Sequence, residues 1–113
     1  MAKTTDQIKK ELLEFTDLLK KEYNLYALVL FGSYADGTAS EYSDIDIAVF
    51  SDDFGDDVLA DMKRLFKLRR KVATDIEPLP FRTKDFFQND QSDFIHEIVS
   101  KGKVIFKEGQ YYL

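Results

Sequence analysis

The chain has 113 residues, with 16 Lys and Arg against 21 Asp and Glu, a net charge of −5 and a 44% hydrophobic fraction that includes ten Phe. That is enough for one domain spanning residues 1–113 around one core, and the absence of Cys and the single His exclude disulfides, thiolate chemistry and multi-histidine metal sites. The acidic balance argues against a domain that grips nucleic-acid phosphates through its overall field, and neither a membrane span nor the apolar core of a signal peptide is visible, so a cytosolic protein with no direct nucleic-acid binding is expected.

Thr4 to Glu22 reads as the first helix, because Thr4 and Gln7 form a capping-box pair and Ile8, Leu12, Phe15, Leu18 and Leu19 recur at helical spacing. Leu25 to Phe31 is a nearly continuous apolar run, the pattern of a strand buried on both faces. Residues 32–43, rich in Gly, Ser and Asp, predict a turn that opens into a short helix and then a loop. Asp44 to Phe50 alternates as a second strand, with Asp44, Asp46, Ala48 and Phe50 on one face.

A helix is expected from about Asp56 to Arg70, with an apolar stripe of Val58, Leu59, Met62, Leu65 and Phe66 and two aspartates in its first turn. Val72 to Pro78 reads as a third strand, ended by the prolines at 78 and 80. Thr83 is a candidate cap for a small turn around Phe86 and Phe87. Ser92 starts a helix to about Ser100, and Lys103 to Phe106 suits a short last strand. Helices and strands mixed in this order imply an α/β or α+β fold: a small mixed sheet flanked by helices.

The chemistry gathers on the second strand. Residues i and i+2 of a strand project to one side, so Asp44 and Asp46 present two carboxylates to the same space, and two such charges repel unless a cation lies between them. Hard oxygen ligands of this kind select Mg²⁺ or Mn²⁺. The first strand runs directly into Gly32 and Ser33, where glycine permits close approach of backbone N–H groups to a phosphate and the serine hydroxyl adds a donor. A phosphate seat one short loop from a carboxylate pair is the minimum equipment for handling a nucleoside triphosphate with Mg²⁺.

Gly32-Ser33, ten intervening residues and Asp44-Ile45-Asp46, within GSYADGTASEYSDIDIAVF, resemble the signature of the nucleotidyltransferase superfamily that includes DNA polymerase beta. The compact size resembles its minimal nucleotidyltransferase branch, whose members are often the antitoxins of HEPN/MNT toxin and antitoxin pairs. The resemblance implies a nucleotidyltransferase fold, ATP as substrate, one or two Mg²⁺ held by Asp44 and Asp46, and phosphates seated on Gly32 and Ser33. It implies a third carboxylate on a neighbouring strand, acting as base or metal ligand, for which Glu77 in the IEP segment is the better match and Asp75 the reserve. The implied reaction is transfer of AMP to a hydroxyl, such as that of a tyrosine, of a HEPN-type toxin. This chain lacks the R-x4-6-H motif of such toxins and so would be the antitoxin half. The alternative is a non-catalytic module that neutralises its partner by occlusion; a homo-oligomer stays open.

One position departs from the pattern. Many relatives carry a basic residue where this chain has Asp36, and residues 36–61 hold nine acids and no base, so a cation would be attracted and a naked triphosphate would not. Other features read as structural. The six bases of KRLFKLRRK, residues 63–71, complete a helix C-terminus as a solvated face; His96 is a surface residue; Phe81, Phe86, Phe87 and Phe94 are core, with an apolar partner patch as the alternative; Tyr111 and Tyr112 either close an edge or trail as a tail.

Overall fold

The computed structural model describes residues 3–91 and 93–113. Its elements run α1 (Thr5–Glu22), β1 (Leu25–Phe31), α2 (Ser33–Asp36), β2 (Ile45–Ser51), α3 (Val58–Arg69), β3 (Ile76–Phe81), α4 (Thr83–Phe87), α5 (Phe94–Lys101), β4 (Lys103–Lys107) and β5 (Gln110–Tyr111). Five strands form one mixed sheet in the order β3-β2-β1-β4-β5. Only β2 and β3 run parallel, and a parallel pair needs a crossover, which α3 supplies. The remaining pairs are antiparallel.

Strand alternation divides the core into two layers. Leu28, Leu30, Ile45, Ile47, Val49 and Ile76 point to the face where α1 contributes Leu12, Phe15 and Leu19 and α3 contributes Leu65 and Leu68. The opposite face carries Ala27, Val29, Ala48 and Phe50 under Ile98 of α5, with Phe86 of α4 alongside. β1 and β2 are therefore buried on both sides, as the run from Leu25 to Phe31 implies. Thr4 caps α1 as predicted: its hydroxyl accepts from the Gln7 N–H, and the Gln7 side chain accepts from the Thr4 N–H.

Several expected boundaries move. The third strand is Ile76–Phe81 rather than Val72–Pro78, because Val72 and Ala73 turn back to bond the Arg69 carbonyl and close α3. Pro78 and Pro80 lie inside the strand. β3 is an edge strand, and prolines two residues apart turn their missing donors to the same, outer side. Asp44 precedes β2, which starts at Ile45. Asp57 is the N-cap of α3, accepting from Ala60 N–H, so Asp56 and Asp57 precede its first turn; Val58 and Leu59 are exposed instead of joining the stripe. Arg82, not Thr83, occupies the N-cap position of α4. The predicted start of the fifth helix, Ser92, lies outside the described residues; Asp93 occupies the N-cap position of that helix, which runs one residue further than expected. Phe87 and Phe94 are exposed, while Phe81 and Phe86 are half-buried against the second core layer. Tyr111 belongs to β5, so the tail closes the β4 edge.

Candidate active site

The antiparallel register of β1 and β2 sets Phe31 opposite Asp46, and the parallel register of β2 and β3 sets Asp46 opposite Glu77. Asp46 thus stands between the last residue of β1 and the second residue of β3, on the sheet face shared with Ala48 and Phe50. Asp46 is half-buried and Asp44, in the loop two residues earlier, is exposed. Burial, then the charge of Asp44, then that of Glu77 push the Asp46 carboxyl above its ordinary value. Asp44 and Glu77 are therefore each close enough for their charge to act on Asp46.

Gly32 closes the site from the side of β1. It adopts φ 73°, a conformation that favours glycine, and a Cβ there would fall 2.2 Å from Asp46 Oδ2. The carboxylate of Asp46 thus lies directly over the bend where β1 passes into α2. Ser33 opens α2, and the turn is locked by N–H groups of Ala35 and Asp36 donating to the Gly32 carbonyl and Thr38 N–H donating to that of Ser33. Asp36, the acidic departure, is exposed and held below its ordinary value by the hydroxyl and N–H of Thr38, which donate to Oδ1 at 2.6 and 3.0 Å.

The two candidates for the third carboxylate part company. Asp75 sits before β3, where its carboxylate takes the Lys3 ammonium at 2.8 Å and its carbonyl accepts from Ile45 N–H. Lys3 is shared with Glu11 at 2.7 Å. Glu77 is the residue alongside Asp46, and its Oε1 lies 3.3 Å from Arg69 Nη1. The charge pattern of residues 63–71 predicts a solvated face for Arg69, and the structure turns it toward β3 instead. The available signal was its place: the last residue of a helix joined to β3 by a tight turn, eight residues before Glu77.

The donor set is all oxygen and the charges repel, which fits a hard dication. Among the described residues, no three acidic or histidine side chains already converge as a metal cluster. Next to Gly32 a cavity of about 410 Å³ opens between β1, α2 and α5, walled by Phe31, Ala35, Asp36, Phe94 and Glu97. The exposed Phe94 ring meets Phe31 edge-on at 5.8 Å. His96 is half-buried, with Nδ1 2.8 Å from Asn89 Oδ1, and stands in none of this.

Residues 14–111 match the family described as "Polymerase beta, Nucleotidyltransferase". The chain belongs to that family. It is similar to three Methanocaldococcus jannaschii proteins, each carrying the name "Putative protein adenylyltransferase". One is 32% identical over 86% of this chain and 96% of its own length. Another is 29% identical over 88% of this chain and 71% of the relative. A third is 45% identical over 45% of this chain and 51% of its own length, so the chain spans about half of that relative. A Sulfolobus solfataricus crystal structure titled as a "putative nucleotidyltransferase" superposes with a TM-score of 0.67 at 18% identity, covering 100% of this chain and 97% of that one, which is a likeness of fold. The nucleotidyltransferase is an enzyme of mixed α/β architecture, and no described helix is long and apolar enough to cross a membrane.

Proposed function

We propose that this nucleotidyltransferase moves AMP from ATP to a hydroxyl group of a partner protein, with Mg²⁺ at Asp44 and Asp46, and that the partner is a HEPN-type toxin which the added AMP silences. The observation that carries the reading is the Asp46 carboxylate over the Gly32 bend, with Asp44 two residues away and Glu77 in register beside it. The names of the archaeal relatives support a protein acceptor.

Asp44 and Asp46 would hold the cation, with Glu77 completing the set. Bound there, Mg²⁺ supplies charge neutralisation to the triphosphate and the pyrophosphate leaving group. Gly32 and Ser33 would seat the β- and γ-phosphates through backbone N–H groups and the hydroxyl. Glu77 would orient the acceptor hydroxyl and take its proton as the oxygen forms a bond to the α-phosphorus and the bond to the bridging oxygen of pyrophosphate breaks. The acidic stretch from Asp36 to Asp61 offers no counter-charge for phosphate, so the cation must carry it.

Incubating the chain with Mg²⁺, each nucleoside triphosphate and a HEPN-type protein that carries the R-x4-6-H motif tests the reading by intact mass. The expected result is a gain of one or more AMP units on the partner with ATP, abolished by Asp44→Ala or Asp46→Ala. Tight complex formation with no mass change under any nucleotide would replace transfer by occlusion.

A further inference from the structure

Arg69 is fixed by groups that take no part in chemistry. Its Nη1 donates to the Ile76 carbonyl at 2.7 Å, and its guanidinium lies 4.6 Å from the Phe66 ring centroid, one helical turn back. Its carbonyl receives the N–H groups of Val72 and Ala73, which pins the turn between α3 and β3. The Arg69 side chain is more buried than that of Glu77, at 22% against 38% exposed. A stationary guanidinium therefore meets a carboxylate that has room to move, and the 3.3 Å contact is the looser of its two hydrogen bonds.

We infer that Arg69 is the positioning residue for the third carboxylate: it holds Glu77 aside from Asp46 while no cation is bound and yields it when a cation arrives. This rests on the reading of Asp44, Asp46 and Glu77 as a cation site. Without a cation, Glu77 turned toward Asp46 would set two carboxylates of neighbouring strands against each other, and the guanidinium gives Glu77 a better partner. A dication at Asp44 and Asp46 reverses that preference. The pair is thus a two-position element with Arg69 on one side and the metal on the other.

Mn²⁺ binding followed by electron paramagnetic resonance, together with the ¹⁵N–¹H resonance of Arg69 Nε, tests this without any turnover. Mg²⁺ should shift the Arg69 resonance along the same saturation curve as metal binding in the wild-type chain. The shift should vanish in Glu77→Gln, which still binds metal through the two aspartates. Arg69→Gln should tighten Mn²⁺ binding about three- to tenfold, and by less than half that factor in the Glu77→Gln background. Arg69→Lys, which keeps the charge and not the planar bridge to Ile76, should tighten it in the same sense by a smaller factor, and it serves where Arg69→Gln fails to fold. An Arg69 resonance that moves equally in Glu77→Gln, or equal effects of Arg69→Gln in both backgrounds, overturns the inference. Absence of Mn²⁺ binding by the wild type, or binding indifferent to Asp44→Asn and Asp46→Asn, removes the cation site itself and the inference with it.

Discussion

Asp46 and Glu77 are direct neighbours across the parallel pairing of β2 and β3, on the same face of the sheet. With Asp44 nearby, this concentrates negative charge in a half-buried place, and burial raises the cost of keeping Asp46 ionised. Asp46→Asn should therefore raise the melting temperature by a few degrees at pH 7 in the presence of a chelator, while lowering transferase activity at least ~100-fold. The sign follows from linkage: the folded-state value of Asp46 is raised, so the folded state is favoured at low pH and loses that advantage as pH rises through the raised value. The gain in Asp46→Asn should accordingly disappear at pH values below the ordinary carboxylate range, where wild-type Asp46 is protonated too. Asp44→Asn, at an exposed loop position, should leave stability within about 0.5 kcal/mol and abolish activity to a similar degree. Thermal scans with and without Mg²⁺ at pH 3 and pH 7 check both, and a loss of stability in Asp46→Asn at pH 7 would contradict the repulsion.

Gly32→Ala tests the close approach of the bend to the carboxylate. The added Cβ would sit 2.2 Å from Asp46 Oδ2 at a backbone φ of 73° and ψ of −153°, so the carboxylate must shift and the backbone is strained by about 1–3 kcal/mol. A displacement on the ångström scale at a reacting centre costs about 100-fold. We expect a folded chain with that loss in kcat and with Mn²⁺ affinity lowered, measured by calorimetric unfolding and metal titration on the same preparation.

The elements and the acidic pair were legible because each depends on local chemistry: the capping box at Thr4, the doubly buried run from Leu25 to Phe31, and the glycine that ends it. The edge placement of β3 was not, since proline reads as a strand breaker until the sheet order shows that its missing donor faces outward. Strand alternation alone does not choose between Asp75 and Glu77, although the family resemblance favours Glu77. Both stand at alternate positions, and the choice of neighbour for Asp46 is made by where β3 begins and by Lys3, which reaches Asp75 from the other end of the chain. Arg69 was hidden among six bases, because a charge run gives no clue as to which member turns inward. Phe87 and Phe94 were misread as core for a related reason: an aromatic side chain scores as apolar whether or not another element covers it.

At the far end of the sheet, Tyr111 donates to Asp17 of α1, receives a hydrogen bond from Lys20 at 3.4 Å, and packs edge-on against Phe106. Burial first, then the hydrogen bond to Asp17 and its charge push the Tyr111 hydroxyl up to about 12. A raised value means that the protonated tyrosine contributes stability below its ordinary value of 10, and that this contribution is lost as pH rises from 10 toward 12. Burial also raises Tyr23 and Tyr26, so an absorbance titration at the phenolate band should show several late-ionising tyrosines, of which the component near 12 disappears in Tyr111→Phe. The same variant should lose the extra alkaline stability, with the tail otherwise docked through its ring; an unchanged late component would assign it to another tyrosine.

Asp36 offers a test of how charge near the Gly32 bend governs substrate capture. Thr38 keeps it ionised from two donors, and it shares the wall of the cavity that begins at Gly32. A triphosphate about 8 Å away would feel roughly 0.5–1 kcal/mol of repulsion per phosphate charge at an effective dielectric of 40–80. Asp36→Asn keeps an oxygen for Thr38 and so preserves the turn while removing the charge. With about two net negative charges on MgATP, we expect the variant's KM for it to fall about five- to thirtyfold at low ionic strength with kcat little changed. The difference should shrink in 0.5 M salt, where screening cuts off interactions beyond roughly 4 Å. A KM that is unaltered at low salt would place the triphosphate outside the reach of Asp36 and away from the α2 end of the cavity.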